Sequence, residues 1–195
     1  MSEEEQKVEK VEAPVIEHGY SQVVEKEPEV PQIVKDYQAL VGRIVPPHKK
    51  ISREVTDEDT NTVQNDLQVL YRLCFTPHGL YGGAYAMAHP QIDDKDPLRL
   101  FVMANMLIVC NPKITLHSGY TVDSKEACMS FSGMMMTTVP RWQKIDLEYQ
   151  TIIKDPKNEG KFKLSEVKFE KLSGQPAKVF QHEIDHLDGK YIYQF

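Results

Sequence analysis

His182, Glu183 and His186 form an HExxH pattern inside the stretch FQHEIDHLDG, Phe180 to Gly189. On a helix, residues i and i+4 lie one above the other on the same face, so both imidazoles can reach one metal ion. Glu183 then sits beside them, placed to handle a proton on a metal-bound water. A catalytic metal normally takes three protein ligands and keeps one open position. A third ligand is therefore required, and the residues after His186, LDGKYIYQF, contain no histidine. It is expected from upstream, with Cys128, His117, His89, His78 and several acidic residues as candidates. Spacing alone does not choose among them.

The element that must carry this pattern is a helix opening at Pro176, a residue suited to a first helical turn, and stopping at Gly189. Projected at the helical period, it separates into three sides. Ala177, Phe180, Ile184 and Leu187 make a core stripe; Lys178, Gln181, Asp185 and Asp188 make a solvent side. Val179, His182, Glu183 and His186 occupy the remaining face. The rest of the chain reads as strands with one further helix. Val63, Leu67, Leu70 and Cys74 predict an amphipathic helix from about Asp57 to Leu73, with Thr56 as N-cap and Asp59 in its first turn. Short strands are expected over Leu40–Pro47, Leu98–Val109 with a break near Asn105, and Ile114–His117. Lys144–Ile153 alternates cleanly, and Lys161–Phe169 changes phase, which predicts a bend or bulge. Tyr191–Phe195 is a short apolar tail. GLYGG, from Gly79, reads as a tight turn, and Met134–Met136 as packing residues.

Composition limits the classes. The chain has 195 residues, enough for one domain with a proper core. Its net charge of −6 argues against a large nucleic-acid surface. No run approaches the roughly 18 apolar residues of a membrane span. Three cysteines are too few for a disulfide scaffold and suit a reducing compartment, so a cytoplasmic location is expected. The first thirty residues hold nine Glu and three Lys with little apolar content. Residues 1–35 are accordingly expected to form an acidic, flexible tail before a single metallohydrolase domain over 36–195.

Three short motifs, taken in order, resemble those of the peptide deformylase family. QHEIDHLDG, Gln181 to Gly189, matches the family's closing motif in full; EACMS, Glu126 to Ser130, corresponds to its usual EGCLS. AYAMAHPQ, Ala84 to Gln91, is a weaker counterpart of GxGxAAxQ. The resemblance covers about residues 40–195. It implies an α+β domain of antiparallel strands packed around the HExxH helix. It also implies one divalent metal held by Cys128, His182 and His186, natively Fe²⁺ with Zn²⁺, Ni²⁺ or Co²⁺ as replacements. By the same resemblance Glu183 serves as general base, and the Gln91 side chain and the Met129 backbone N–H stabilise the oxyanion. Tyr85, Ala86 and Val179 contact substrate, and Glu126 with Arg141 bridges neighbouring strands in support.

The implied activity is removal of the N-formyl group from formyl-methionyl nascent peptides, with release of formate. The alternatives are a related metallopeptidase or amidase of changed preference, and a metal-binding protein that has lost turnover. Three departures stand out: Ala84 and Ala86 replace glycines, His89 replaces an alanine, and Ala127 replaces the glycine before the cysteine. Ala84, Ala86 and His89 are expected to narrow the substrate entrance. Lys178 stands where the family has an apolar pocket residue. Only six residues follow Gly189, so the C-terminal helix that assists ribosome contact in bacterial members is expected to have no counterpart there. A monomer touching the ribosome at most transiently is expected, with no membrane and no direct nucleic-acid partner.

Overall fold

The computed structural model describes residues 32–75, 84–131 and 136–194. The acidic stretch up to residue 31, the GLYGG turn from 79 to 83, and Met134 and Met135 lie outside the described residues. Among the described residues, helices and strands follow in the order α1 (Gln32–Val41), α2 (Asp59–Thr62), α3 (Gln64–Phe75), β1 (Ala86–Ala88), β2 (Leu100–Met103), β3 (Ile108–His117), β4 (Thr121–Glu126), β5 (Thr137–Trp142), β6 (Lys144–Gln150), β7 (Ile152–Lys154), β8 (Phe162–Leu164), β9 (Lys168–Ser173) and α4 (Gln175–Leu187). This is an α+β fold. Five strands pair antiparallel in the order β1-β2-β3-β6-β9, and β4-β5 and β7-β8 form two separate ribbons.

Alternation along the strands sends successive side chains to opposite faces of the five-stranded sheet. Met87, Leu100, Val102 and Cys110 join Leu67, Leu70 and Leu73 of α3 on one face. Ala86, Ala88, Phe101, Val109, Ile145 and Leu147 meet Ala177, Phe180, Ile184 and Leu187 of α4 on the other. The expected core stripe of α4 is thus buried as a unit, with Phe101 and Phe180 meeting edge to face at 5.2 Å. Each large apolar side chain so buried contributes on the order of 2 kcal/mol. The HExxH helix lies between this sheet and the β4-β5 ribbon, and so has a polar flank free to build a site.

Several local expectations change. The predicted helix from Asp57 is two helices, and Thr56 donates from its N–H (2.8 Å) and hydroxyl (2.9 Å) to Asp59, the reverse of an N-cap. Leu40 is helical, and Gly42–Lys50 forms no strand. The break near Asn105 is present as a turn between β2 and β3, where Met106 takes a positive φ of 70°. β3 runs through Asn111-Pro112 with a register shift, and Asn111 accommodates a φ of 52°, as asparagine can. The phase change after Lys161 resolves into two strands, β8 and β9. The apolar tail contains a 3-10 turn, Ile192–Gln194.

Candidate metal centre

Gly174, whose φ is 63°, precedes helix α4, and Pro176 stands in the first turn. Its position against β5 is set by Gln181. The amide oxygen accepts from the Trp142 N–H (2.8 Å), and its nitrogen donates to the Trp142 carbonyl (2.9 Å) and the Ala177 carbonyl (2.9 Å). Gln181 is therefore buried, contrary to its expected place on the solvent side. A periodicity reading assigns every polar residue to water, and cannot see that an exposed β5 backbone needs a partner.

The turn of α4 carrying the motif projects His182 and His186 toward the loop after β4, where Cys128 lies buried. The ligand atoms of these three residues lie within 4.8 Å of one another. His186 Nε2 is 3.2 Å from His182 Nε2 and 3.3 Å from Cys128 Sγ. Around a tetrahedral metal, with bonds of about 2.1 Å to nitrogen and about 2.3 Å to sulfur, such atoms stand roughly 3.3–3.6 Å apart. The two separations at His186 are thus close to those a tetrahedral ion imposes.

The tautomer of His182 agrees. Its Nδ1 is 2.9 Å from Glu126 Oε2, a carboxylate oxygen that can only accept, so Nδ1 carries the proton and Nε2 offers its lone pair. Two imidazole nitrogens and a sulfur face one another there, and this donor set fits a divalent ion of borderline softness. Of the upstream candidates, His117 stacks on Trp142 at 3.8 Å and points its Nδ1 at the Ser118 carbonyl (2.9 Å). His89 Nδ1 accepts from the Leu98 N–H. Neither reaches the helix histidines, and His78 lies outside the described residues.

Glu126 does more than bridge strands. Arg141 grips it with two parallel hydrogen bonds, Nε to Oε1 (2.9 Å) and Nη2 to Oε2 (2.8 Å), and its third nitrogen reaches Asp185. Burial opposes the charge of Glu126, but the Arg141 and His182 hydrogen bonds outweigh it and hold its pKa at about 2. Burial likewise works against the His182 cation. Hydrogen bonds to Cys128 and Glu126 prevail and raise its pKa to about 10, so proton and metal compete for one lone pair. Asp185, expected in solvent, is instead the far anchor of Arg141; its spacing of three residues from His182 was the available signal.

Glu183 is buried, and its Oε2 has no hydrogen-bond partner among the described residues. Burial, the largest influence, pushes its pKa up to about 7, and the neighbouring Glu126 and Asp185 charges add to this. A carboxyl so placed exchanges protons near neutrality. On the opposite wall, Gln91 closes a 3-10 turn after β1. Its Oε1 accepts from the Ala88 N–H (2.8 Å), while Nε2 donates to Ser130 Oγ (3.1 Å) and lies 3.8 Å from Cys128 Sγ. One amide therefore stabilises its own turn and aims a donor at the cysteine loop.

A model of the polypeptide deformylase family matches residues 41–194. The chain belongs to that family. A peptide deformylase of Thermotoga neapolitana is 30% identical over 150 residues, 74% of this chain and 77% of that protein. The Thermus thermophilus peptide deformylase is 38% identical over 105 residues, 54% of this chain and 48% of that protein, so the aligned part spans about half of the relative. Among solved structures, a peptide deformylase from Thermus thermophilus superposes with a TM-score of 0.58 at 30% identity, covering 78% of this chain and 84% of that one. That from Thermotoga maritima gives 0.54 at 30% identity, covering 75% and 88%.

Within this deformylase fold the remaining substrate candidates separate. Ala86 is buried against α4, Val179 is half-buried beside it, and Tyr85, just before β1, is 74% exposed. His89 does not narrow the entrance. Its ring is buried on the α3 side, with Nε2 3.6 Å from Asp66, because the turn after β1 swings it away from the sheet edge.

Proposed function

We propose that this protein hydrolyses the N-formyl group of formylated nascent peptides, yielding formate and a free amino terminus. The observation carrying this reading is the convergence of Cys128, His182 and His186 with a buried Glu183 carboxylate and the Gln91 amide. Cys128 Sγ and the two Nε2 atoms would hold a divalent ion, Fe²⁺ by family likeness. When bound, that ion supplies a Lewis acid that acidifies water and polarises the formyl carbonyl.

The residues do the rest. Glu183 accepts the proton of the attacking water and returns it to the departing amine nitrogen as the C–N bond breaks. Gln91 Nε2 and the Met129 N–H donate to the oxygen on which charge develops. Arg141, through Glu126, keeps His182 in the tautomer that presents Nε2 inward. The edge strand β1, with Tyr85 and Ala86 at its start, offers backbone groups to an extended peptide. Lys178, one turn before His182 with Nζ directed at the Asp123 carbonyl (3.4 Å), brings a cation near Val179. This cation supports a second reading, a related amidase of changed preference that takes a polar or acidic first side chain in place of methionine.

The test is a panel of formylated, acetylated and unblocked peptides, differing at the first side chain, assayed on anaerobically purified, metal-replete protein. Formate release from the formylated set alone is expected. Cleavage of acetylated or unblocked peptides would reassign the protein to another amidase or a peptidase, and no turnover with any metal would leave a metal-binding protein.

A further inference from the structure

The two halves of the site come from distant segments: Gln91 from the turn after β1, and the histidines from α4. A third segment touches both. The Val45 N–H donates to the Gln91 carbonyl (2.8 Å), and His48 Nε2 lies 3.0 Å from the Pro90 carbonyl. His48 Nδ1 accepts from the Lys50 N–H (3.3 Å), so Nε2 carries the proton and donates to Pro90. Four residues later the Ser52 N–H donates to the Leu187 carbonyl (2.8 Å), at the end of the metal-binding helix. Between these ties the chain crosses Gly189. A Cβ there would stand 2.7 Å from the Lys49 carbonyl carbon and oxygen and 3.0 Å from the Lys50 oxygen, which are backbone atoms that cannot rotate aside.

We infer that residues 45–52 are a belt fixing the Gln91 turn relative to helix α4, with Gly189 as the positioning residue where belt and helix meet. Gly189 has two demands on it. Its φ of 69° closes the helix, with the Lys190 N–H returning to the Asp185 carbonyl (2.8 Å), and its missing side chain admits the belt. Gly174, at the other end of α4, is a glycine for conformation alone: with φ 63° and ψ −135° it lies outside the left-handed helical region, and nothing lies within 4 Å of a Cβ built there. Asparagine tolerates positive φ, so it retains the helix end while adding the Cβ.

The belt acts on Gln91, whose role as oxyanion donor rests on the proposed deformylase reading; its structural part does not. In Gly189→Asn, hydrogen exchange across Ala88–Ile92, which includes the Ala88 N–H held by Gln91, is expected to quicken. His48→Ala, which removes the Pro90 clip without touching α4, is expected to quicken the same segment and serves if Gly189→Asn does not fold. With formyl peptide, kcat of the metal-replete Gly189→Asn enzyme should fall about 10–100-fold, the scale of a displacement near 1 Å. In a Gln91→Ala background the same change should cost nothing further. Unaltered exchange at 88–92 in the folded His48→Ala and Gly189→Asn variants overturns the belt, as does full additivity with Gln91→Ala. Absence of formate release by the parent protein would instead overturn the deformylase reading, leaving exchange to decide the belt.

Discussion

The two walls of the site are built to different standards. On the α4 wall the charged and amide groups flanking the metal ligands are tied to one another: Arg141 to Glu126 and Asp185, Glu126 to His182, Gln181 to Trp142. Arg141 is buried there and Glu126 half-buried, and the place of each is fixed by more than one contact. On the β1 wall, the proposed substrate side, a short strand carries Ala86, follows an exposed Tyr85 and leads into a turn tied by single hydrogen bonds from Gln91, Val45 and His48. The α4 wall tolerates little change because removing one partner strands a buried charge. The proposed recognition wall carries no such charge network.

Three substitutions at the site sharpen the comparison, in falling order of expected effect. Gln91→Ala removes the one firm donor on the β1 wall and is expected to lower kcat about 10²–10³-fold with metal content unchanged. An effect confined to KM would place Gln91 in uniform substrate binding instead. Glu126→Gln leaves His182 without its carboxylate partner and should weaken metal affinity about 10–100-fold, measured by competition with a chelator. Lys178→Met should shift kcat/KM toward methionine and away from acidic first residues by about tenfold, the worth of one pocket contact. An unchanged ratio would separate Lys178 from recognition.

The smallest effect concerns His89 and stability. Burial holds its pKa below the ordinary 6.5, with the Asp66 charge opposing this only in part. The unfolded chain therefore binds a proton that the folded protein resists. This contribution is complete above about pH 6.5 and declines as the pH falls below it. His89→Gln should accordingly show a shallower loss of Tm between pH 7 and 5 than the parent protein.

Much of the α4 wall was legible because helical periodicity and the HExxH spacing describe one short segment, in which contact follows from sequence distance. The buried stripe Ala177, Phe180, Ile184 and Leu187 could be read that way. Cys128 could not: its meeting with His186 spans 58 residues, and only the likeness of EACMS to a known motif singled it out. Gln181 and Asp185 were misplaced in solvent because their partners, Trp142 and Arg141, lie on β5, which the helix projection does not contain. His89 was misread for the same reason, its environment being set by Asp66 and Leu98. The belt over 45–52 left no periodic trace at all, since its ties are single hydrogen bonds to backbone groups and one absent side chain.

The most direct measurement is formate release by the metal-replete protein and by Glu183→Gln carrying the same metal content. Turnover of a formylated peptide by the parent, falling about 10²–10⁴-fold in the variant with the metal retained, is the predicted result. Equal formate release by the two proteins would contradict the assignment of Glu183 as the group that moves the proton.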